Sequence, residues 1–193
     1  MRGKAAGIAA LGAAMMCAPA AHADINEVHV GVLAHNVCIT NCKNANKEGG
    51  PNVELQVDWD SPHVLHWLGS PRPYAVGSLN VAGDTSFVAA GLEWRFHMTD
   101  HWAIEPGIGY AIHNGEVRNP YPNGDPRATQ FSDEHILFGS RDLFRTSLGL
   151  TYATDGPWDI QGFYSHLSHG QILGKGRNQG VDQVGLRLGY RFR

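Results

Sequence analysis

Apolar and polar residues alternate one by one through many short segments of this chain. Between residues 53 and 59, the apolar set is Val53, Leu55, Val57 and Trp59, and the intervening set is Glu54, Gln56 and Asp58. A period of two places these sets on opposite faces of a β-strand. The same alternation recurs over residues 28–34, 88–97 and 102–112. It predicts an all-β chain of antiparallel strands, each with one apolar face.

The two faces of these strands differ in the size and charge of their side chains. The apolar faces carry large and aromatic residues, whereas the opposite faces hold Gly, Ala and charges of both signs. The charged positions are Glu54, Glu93, Arg95, Glu105, Arg141, Arg145, Asp159, Arg187 and Arg191. This favours a small transmembrane barrel, with bulky residues facing lipid and paired charges filling a narrow interior, over a soluble sandwich with an apolar core.

Eight strands are predicted, which makes the fold class an eight-stranded antiparallel transmembrane β-barrel. Their ranges are 27–35, 52–60, 73–80, 85–98, 101–113, 135–152, 157–168 and 181–192. Short turns follow the fourth and sixth strands, and long loops follow the first, fifth and seventh, as in outer-membrane barrels with periplasmic turns. The connection from 61 to 70 is the exception, and a short helix over 64–68 would account for part of it. An interior of this width is filled by side chains, so ion pairs rather than a pore are predicted.

The ends of the chain indicate export to the outer membrane. Basic Arg2 and Lys4 precede an apolar run that ends at an A-x-A pattern, which predicts a secretory signal peptide over 1–23 and a barrel over 24–193. The apolar run is too short for a permanent transmembrane helix. The near-terminal Phe192 resembles the last residue of outer-membrane proteins. A formal charge of −3 argues against nucleic acid as a partner.

Two cysteines remain after the predicted signal peptide. In an exported chain, the Cys38 and Cys42 pair favours a disulfide within a loop over a metal site, because two thiols alone make a poor zinc shell. His63 and His66 have metal-like spacing, but no further ligands accompany them. Neither a metal site nor a cofactor is therefore predicted.

Polar residues interrupt the apolar face of the seventh predicted strand. His166 and Ser168 share the parity of Tyr164, so they face lipid, and an outward-running strand places them at the outer rim of the barrel. In the neighbouring eighth strand, Asp182 has the parity of the outward-facing Val184. A carboxylate, an imidazole and a hydroxyl are thus predicted at one height on the lipid side.

Polar groups on a lipid-facing surface cost free energy that depends on their depth, and mutual hydrogen bonds would offset that cost. Residues at i and i+2 of a strand have Cα atoms about 6.5 Å apart on one face, so His166 is able to take the proton of Ser168. Asp182 would hold the imidazole tautomer and stabilise its protonated form. The chemistry implied is attack by Ser168 on an ester carbonyl in the outer leaflet. The alternative is a chance pair whose side chains meet headgroups and water at the rim.

The stretch HLSHGQILGKGRNQGVDQVGLRLGY, residues 166–190, resembles the C-terminal motif of the PagL-type lipid A 3-O-deacylases, which are eight-stranded outer-membrane esterases. His166-Leu167-Ser168 matches the family's H-x-S, and residues 178–182 match its N-x-G-hydrophobic-acid segment. The resemblance implies hydrolysis of the 3-O-linked β-hydroxyacyl ester of lipid A, with lipopolysaccharide as the partner and no metal or cofactor.

Carried over by position, the resemblance makes Ser168 the nucleophile, His166 the general base and acid, and Asp182 the orienting carboxylate. Asn178 becomes a candidate for supporting the oxyanion or the loop. The chain departs from the family in having Asp182 where Glu is found, and His169 where Asn is frequent.

Two further expectations concern the substrate and the competing function. Lipid-facing Tyr164, Leu186 and Leu188 are candidates for an acyl groove. The alternative to an esterase is a non-catalytic eight-stranded barrel with a structural or adhesive role. Oligomeric state is left open, with a homodimer among the options.

Overall fold

The computed structural model describes residues 24–40 and 42–192 of the 193-residue chain. Its strands are β1 (Ile25–His35), β2 (Pro51–Trp59), β3 (Arg72–Asn80), β4 (Phe87–Glu93), β5 (Phe96–His97), β6 (Trp102–His113), β7 (Asp142–Ala153), β8 (Trp158–Ser168) and β9 (Val181–Arg191). The predicted signal peptide, residues 1–23, lies outside the described residues.

The strands form one closed antiparallel barrel. The order is β4-β3-β2-β1-β9-β8-β7-β6-β5, and pairing of β4 with β6 closes the ring. Both β4 and β5 pair with β6, and β5 follows β4 directly in the chain, so the two count as one barrel strand. The predicted total of eight is confirmed.

The predicted continuous fourth strand, 85–98, was wrong at residues 94 and 95, where β4 ends and β5 has not begun. Trp94 N donates to Pro106 O of β6 at 2.9 Å. Pro106 has no N–H with which to donate a hydrogen bond back to the Trp94 strand, so the ladder is interrupted there. The Trp94 indole instead donates to Leu68 O at 2.9 Å.

The faces of the strands match the predicted distribution. Apolar side chains point outward, with Leu186 66% and Val88 61% exposed to the surroundings of the barrel, while inward-facing Glu54 and Gln161 are fully buried. The exposed apolar band is the surface that contacts lipid in an outer-membrane barrel.

Ion pairs fill the periplasmic half of the interior. Arg72 lies 2.6 Å from Glu27, 3.0 Å from Glu93 and 2.6 Å from Glu105. Arg95 contacts Glu27 at 2.6 Å and Glu105 at 2.8 Å. Glu93, Arg95 and Glu105 were among the charges predicted to fill the interior as ion pairs, whereas Glu27 and Arg72 were not predicted.

The extracellular half of the interior contains a cluster of buried apolar side chains and is closed by a loop segment. Ile136, Leu137 and Phe138 are buried there. Residues 135–141 had been predicted to begin the sixth strand, which was wrong, because their backbone bonds to loop residues and not to a strand: Phe138 N donates to Glu116 O at 3.0 Å and Gly139 N to Val117 O at 2.9 Å. Arg141 is likewise not an interior charge.

Arg141 lies exposed at the rim just before β7 begins. Its Nη1 donates to His113 O at 2.9 Å and to Gly115 O at 2.8 Å. The guanidinium therefore links the residue before β7 to the end of β6 and the loop residues that follow it.

Four loops connect the strands at the extracellular end: L1 (36–50), L2 (81–86), L3 (114–141) and L4 (169–180). L1, L3 and L4 are the long loops predicted after the first, fifth and seventh strands.

Helical segments are few. L3 contains helix α1 (Pro126–Glu134), which the sequence analysis did not predict, although Asp125 followed by Pro126 is a typical helix start. The connection between β2 and β3 contains a 3₁₀ helix over His63–Leu68, close to the predicted 64–68. Among the described residues, no helix is long and apolar enough to cross a membrane.

Candidate active site

The β8–β9 hairpin brings His166 and Asp182 together. The two residues are direct partners in the strand register, and His166 Nδ1 lies 2.7 Å from Asp182 Oδ1. The outward parity of both residues follows from the alternation of the two strands. A carboxylate and an imidazole therefore form a hydrogen-bonded pair on the outer surface of the rim.

Asp182 is almost fully buried, at 1% exposure, although it faces outward. It is covered by L1. Thr40 N donates to Asp182 Oδ2 at 2.6 Å, and Thr40 Oγ1 lies 2.8 Å from Oδ1 and 2.9 Å from Oδ2. Tyr164 also donates its hydroxyl to Oδ1 at 2.9 Å. Several N–H and O–H donors therefore surround the carboxylate, and they stabilise its ionised form.

The contact with Asp182 determines the tautomer of His166. An ionised carboxylate only accepts, so Nδ1 carries the proton and Nε2 retains a lone pair. Gly180 packs directly against the other side of the ring. A Cβ at this position would come within 2.6 Å of His166 Cε1 and 3.0 Å of Nε2. The absence of a side chain at Gly180 thus makes room for the imidazole.

Ser168 is the last residue of β8 and is partly exposed. It pairs with Phe144 of β7, and it stands two residues beyond His166 on the same face. Within residues 24–40 and 42–192, its hydroxyl makes no hydrogen bond. Catalytic hydrogen bonds are frequently long in ligand-free structures and tighten when substrate binds.

His169 holds L4 together from a fully buried position. Its Nδ1 accepts from Gln171 N at 3.0 Å, so Nε2 bears the proton and donates to Arg177 O at 3.0 Å. Both ring nitrogens of His169 are therefore hydrogen-bonded within L4, and neither is directed at a substrate. The role of His169 in the structure is to fold the loop that follows Ser168.

Asn178 lies close to Ser168 through the same loop. Its Oδ1 accepts from His169 N at 3.2 Å. This bond occupies the backbone donor that directly follows Ser168 and orients the Asn178 side chain. In the described part of the chain, the Asn178 amide nitrogen has no hydrogen-bond partner.

Cys38 and Cys42 are joined by a disulfide in L1. The five-residue ring that it closes contains Thr40, the residue that caps Asp182. Thr40 was not predicted from the sequence, because no local pattern connects it with a residue 142 positions away.

The candidate acyl-groove residues divide between two places. Leu186 and Leu188 line a shallow outer groove of about 540 Å³ between β1, β9 and β8, and Gly31 and Gly185 are also among its lining residues. Tyr164 does not line this groove and instead hydrogen-bonds Asp182. Leu186 lies four residues below Asp182 on the same strand and face, so the groove lies below the rim site.

Two other groups have metal-ligating residue types. His63 and His66 stack with ring centroids 4.8 Å apart at the periplasmic end. Inside the barrel, ligand atoms of Glu27, His29 and Asp159 lie within 4.8 Å of one another. Arg72 and Arg95 also contact Glu27, as described above, so cationic groups already face this cluster.

The apolar outer band, the closed eight-stranded ring and the long loops at one end define an outer-membrane β-barrel, here with a candidate hydrolytic site on its lipid-facing rim. The family model described as lipid A 3-O-deacylase (PagL) matches residues 48–191. The chain belongs to this family, which confirms the resemblance drawn from residues 166–190.

Solved structures show the same fold. The crystal structure of the outer membrane enzyme PagL has a TM-score of 0.56 at 18% identity, covering 86% of this chain and 99% of that one. Neisserial surface protein A has a TM-score of 0.53 at 9% identity, covering 86% of this chain and 96% of the other. No curated protein sequence matches significantly.

Proposed function

We propose that this protein hydrolyses the 3-O-linked β-hydroxyacyl ester of lipid A in the outer leaflet, using Ser168, His166 and Asp182. The observation that carries the proposal is the 2.7 Å contact between His166 and Asp182 on the outer face of the rim, two residues from Ser168. Membership of the lipid A 3-O-deacylase family supplies the reaction class.

The proposed reaction begins with attack of Ser168 Oγ on the ester carbonyl, while His166 Nε2 takes the hydroxyl proton. Asp182 holds the imidazolium that forms. Collapse of the tetrahedral intermediate breaks the bond to the 3-oxygen of the sugar, which takes the proton from His166. Water then hydrolyses the acyl-serine by the same route, releasing the β-hydroxy fatty acid.

Two features of the rim support this assignment of roles. Gly180 leaves the Nε2 side of the ring without a covering side chain. The Asn178 amide nitrogen lies in L4 beside the residue that follows Ser168, so it is our candidate donor to the oxyanion. The groove beside Leu186 and Leu188 gives the scissile acyl chain an apolar surface below the ester.

The test uses purified barrel in detergent micelles, incubated with lipid A, with released β-hydroxy fatty acid measured over time. The change of Ser168→Ala is expected to lower the rate by about 10³-fold or more, because the nucleophile is lost. Ser165→Ala is the matched control. Ser165 lies on the same strand but points inward, 3.4 Å from Gln183 Oε1.

Heat-dependent migration on electrophoresis checks that each variant forms the barrel. Equal release by the wild type and Ser168→Ala would contradict the proposal. Release by neither, with both barrels folded, would favour the non-catalytic scaffold.

A further inference from the structure

L1 is fastened to the segment that carries the acid of the candidate triad at three points. Val37 N donates to Asp182 O at 3.0 Å. Thr40 donates to the carboxylate through its backbone and its hydroxyl. Asn44, fully buried, donates its side-chain amide to Gly180 O at 2.8 Å. The loop therefore hydrogen-bonds the backbone carbonyls of Gly180 and Asp182 as well as the Asp182 side chain.

The Thr40 contacts hold both oxygens of the Asp182 carboxylate by hydrogen bonds. His166 and Tyr164 both approach Oδ1. Thr40 N and Thr40 Oγ1 both reach Oδ2, at 2.6 Å and 2.9 Å, and together they prevent the carboxylate from turning about its own bond. With Oδ2 held, Oδ1 stays directed at His166 Nδ1, and the Nε2 lone pair keeps its direction towards the reacting hydroxyl.

The disulfide explains how an exposed loop residue is able to hold this position. Thr40 is exposed at the surface, as are Cys38 and Cys42, so little packing restrains it. The Cys38–Cys42 bond closes a ring of five residues around it. Cross-linking restricts the conformations of the open loop, so both donors of Thr40 are presented together.

We infer that Thr40 is a positioning residue for the proposed deacylase, and that the Cys38–Cys42 disulfide makes the activity dependent on an oxidising environment by holding Thr40 on Asp182. This inference rests on the proposed function. The disulfide ring, residues 38–42, precedes residue 48, where the family match begins, so Thr40 lies outside the matched region.

The test compares kcat and KM for lipid A hydrolysis by full-length variants in micelles. Thr40→Val removes the hydroxyl at similar volume, and we expect kcat to fall about 10- to 100-fold, the effect of losing one hydrogen bond to a charged group. KM should not change, because the Thr40 hydroxyl contacts Asp182 and the Nδ1 side of His166, and we assign it no contact with substrate. Thr40→Ser keeps the donor and should restore kcat to near the wild-type value. Ile39→Val, a change of similar size in the same ring, is the control.

The disulfide is tested by the double variant Cys38→Ser, Cys42→Ser. Its kcat should fall at least as far as that of Thr40→Val, because the freed loop withdraws both donors. Adding Thr40→Val to the double variant should then cost less than about twofold, the non-additivity of residues that act through one contact. Treating the wild type with dithiothreitol, which reduces the disulfide to two thiols as it is itself oxidised, should reproduce the loss.

A spectroscopic readout separates this inference from the proposed function. In barrel labelled at histidine, Thr40→Val should move the imidazole nitrogen resonances of His166 and leave those of His169 in place. Unchanged His166 resonances, or full kcat in both Thr40→Val and the double cysteine variant, would overturn the inference while leaving the deacylase proposal intact. A wild type that releases no fatty acid overturns the proposed function, and the resonances still decide whether Thr40 positions the pair.

Discussion

At the scale of single residues, the space around His166 matters as much as its hydrogen bonds. Gly180 lies against the imidazole edge and also against Leu167 O, where a Cβ would approach to 2.9 Å. Neither neighbour is the free end of a flexible side chain. The ring of His166 is thus held between a carboxylate on one side and a bare backbone on the other.

The change of Gly180→Ala should displace the imidazole and lower deacylation about 10-fold or more, since small misplacements of a catalytic base are costly. The measurement is the rate of β-hydroxy fatty acid release by folded protein. Gly77→Ala is the matched control, because a Cβ at Gly77 meets nothing within 4 Å. Equal rates for Gly180→Ala and the wild type would show that the ring is not held as described.

Strand parity made part of the candidate site predictable from sequence. Alternation along β8 and β9 was enough to place His166, Ser168 and Asp182 on one outward face, and the structure pairs His166 with Asp182. Thr40 was not predictable, because its contact depends on how a distant loop folds back. The burial of His169 within L4 was also hidden, since a polar residue after a strand gives no sign of whether it faces substrate or its own loop.

At the scale of elements, Glu48 joins the extracellular loops to one another. Its carboxylate lies 3.0 Å from His35 Nε2 and accepts from Thr85 N at 3.2 Å and Ile136 N at 3.0 Å. Burial raises the pKa of the Glu48 carboxyl, but these hydrogen bonds outweigh burial and leave the pKa below its ordinary value. The ionised form therefore stabilises the packing of L1, L2 and L3.

Because the folded-state pKa of Glu48 is lowered, its contribution to loop stability is complete above the ordinary carboxyl pKa and is lost as pH falls through the lowered folded-state pKa. Glu48→Gln should remove that contribution at every pH. We expect loop hydrogen exchange to accelerate in the wild type on acidification, and already at neutral pH in the variant.

Hydrogen exchange of L1 and L3 amides, followed by mass spectrometry, measures this effect. Glu134→Gln on the exposed end of α1 is the control, because the hydrogen bond that the Glu134 carboxylate accepts among the described residues comes from Gln130 of its own helix. Exchange of L1 and L3 that is equally slow in Glu48→Gln and the wild type would contradict a linking role for Glu48.

The loops also mark the limit of sequence-based prediction at this scale. Residues 136–138 are as apolar as a strand and precede β7 directly, so periodicity assigned them to it. Their backbone bonds to the first residues of L3, to Glu48 and to Gln179 of L4 show that they are a plug. Predicting a plug requires knowledge of an interior that only the closed barrel creates. Helix α1 was missed because its apolar content is low, although its N-terminal residues were recognisable.

At the scale of the whole molecule, a buried charge network takes the place of an apolar core in the periplasmic half of the barrel. Arg187 is central to it: Nη1 lies 3.1 Å from Glu54 Oε1, Nε lies 2.7 Å from Gln161 Oε1, and the guanidinium stacks 3.5 Å from the Phe163 ring centroid. Charges of both signs on the inward face were predicted from alternation. Which charge meets which depends on strand register and was not predictable from a single sequence.

The change of Arg187→Met should leave Glu54 with one cationic partner, Arg145, and destabilise the barrel by about 3–5 kcal/mol, the cost of breaking a buried ion pair. Urea unfolding in micelles, followed by tryptophan fluorescence, measures the loss. Lys175→Met, at an exposed position in L4, is the control. Stability equal to that of the wild type would mean that the network is not a source of barrel stability.

The central claim is that this outer-membrane barrel removes an acyl chain from lipid A through Ser168. Its most direct test is mass spectrometry of lipid A from Gram-negative cells that express the wild type or Ser168→Ala at matched levels. We predict that lipid A loses one β-hydroxyacyl chain at the 3-position with the wild type and keeps it with the variant. Lipid A left intact by a correctly folded wild type, or shortened equally by both proteins, would contradict the account.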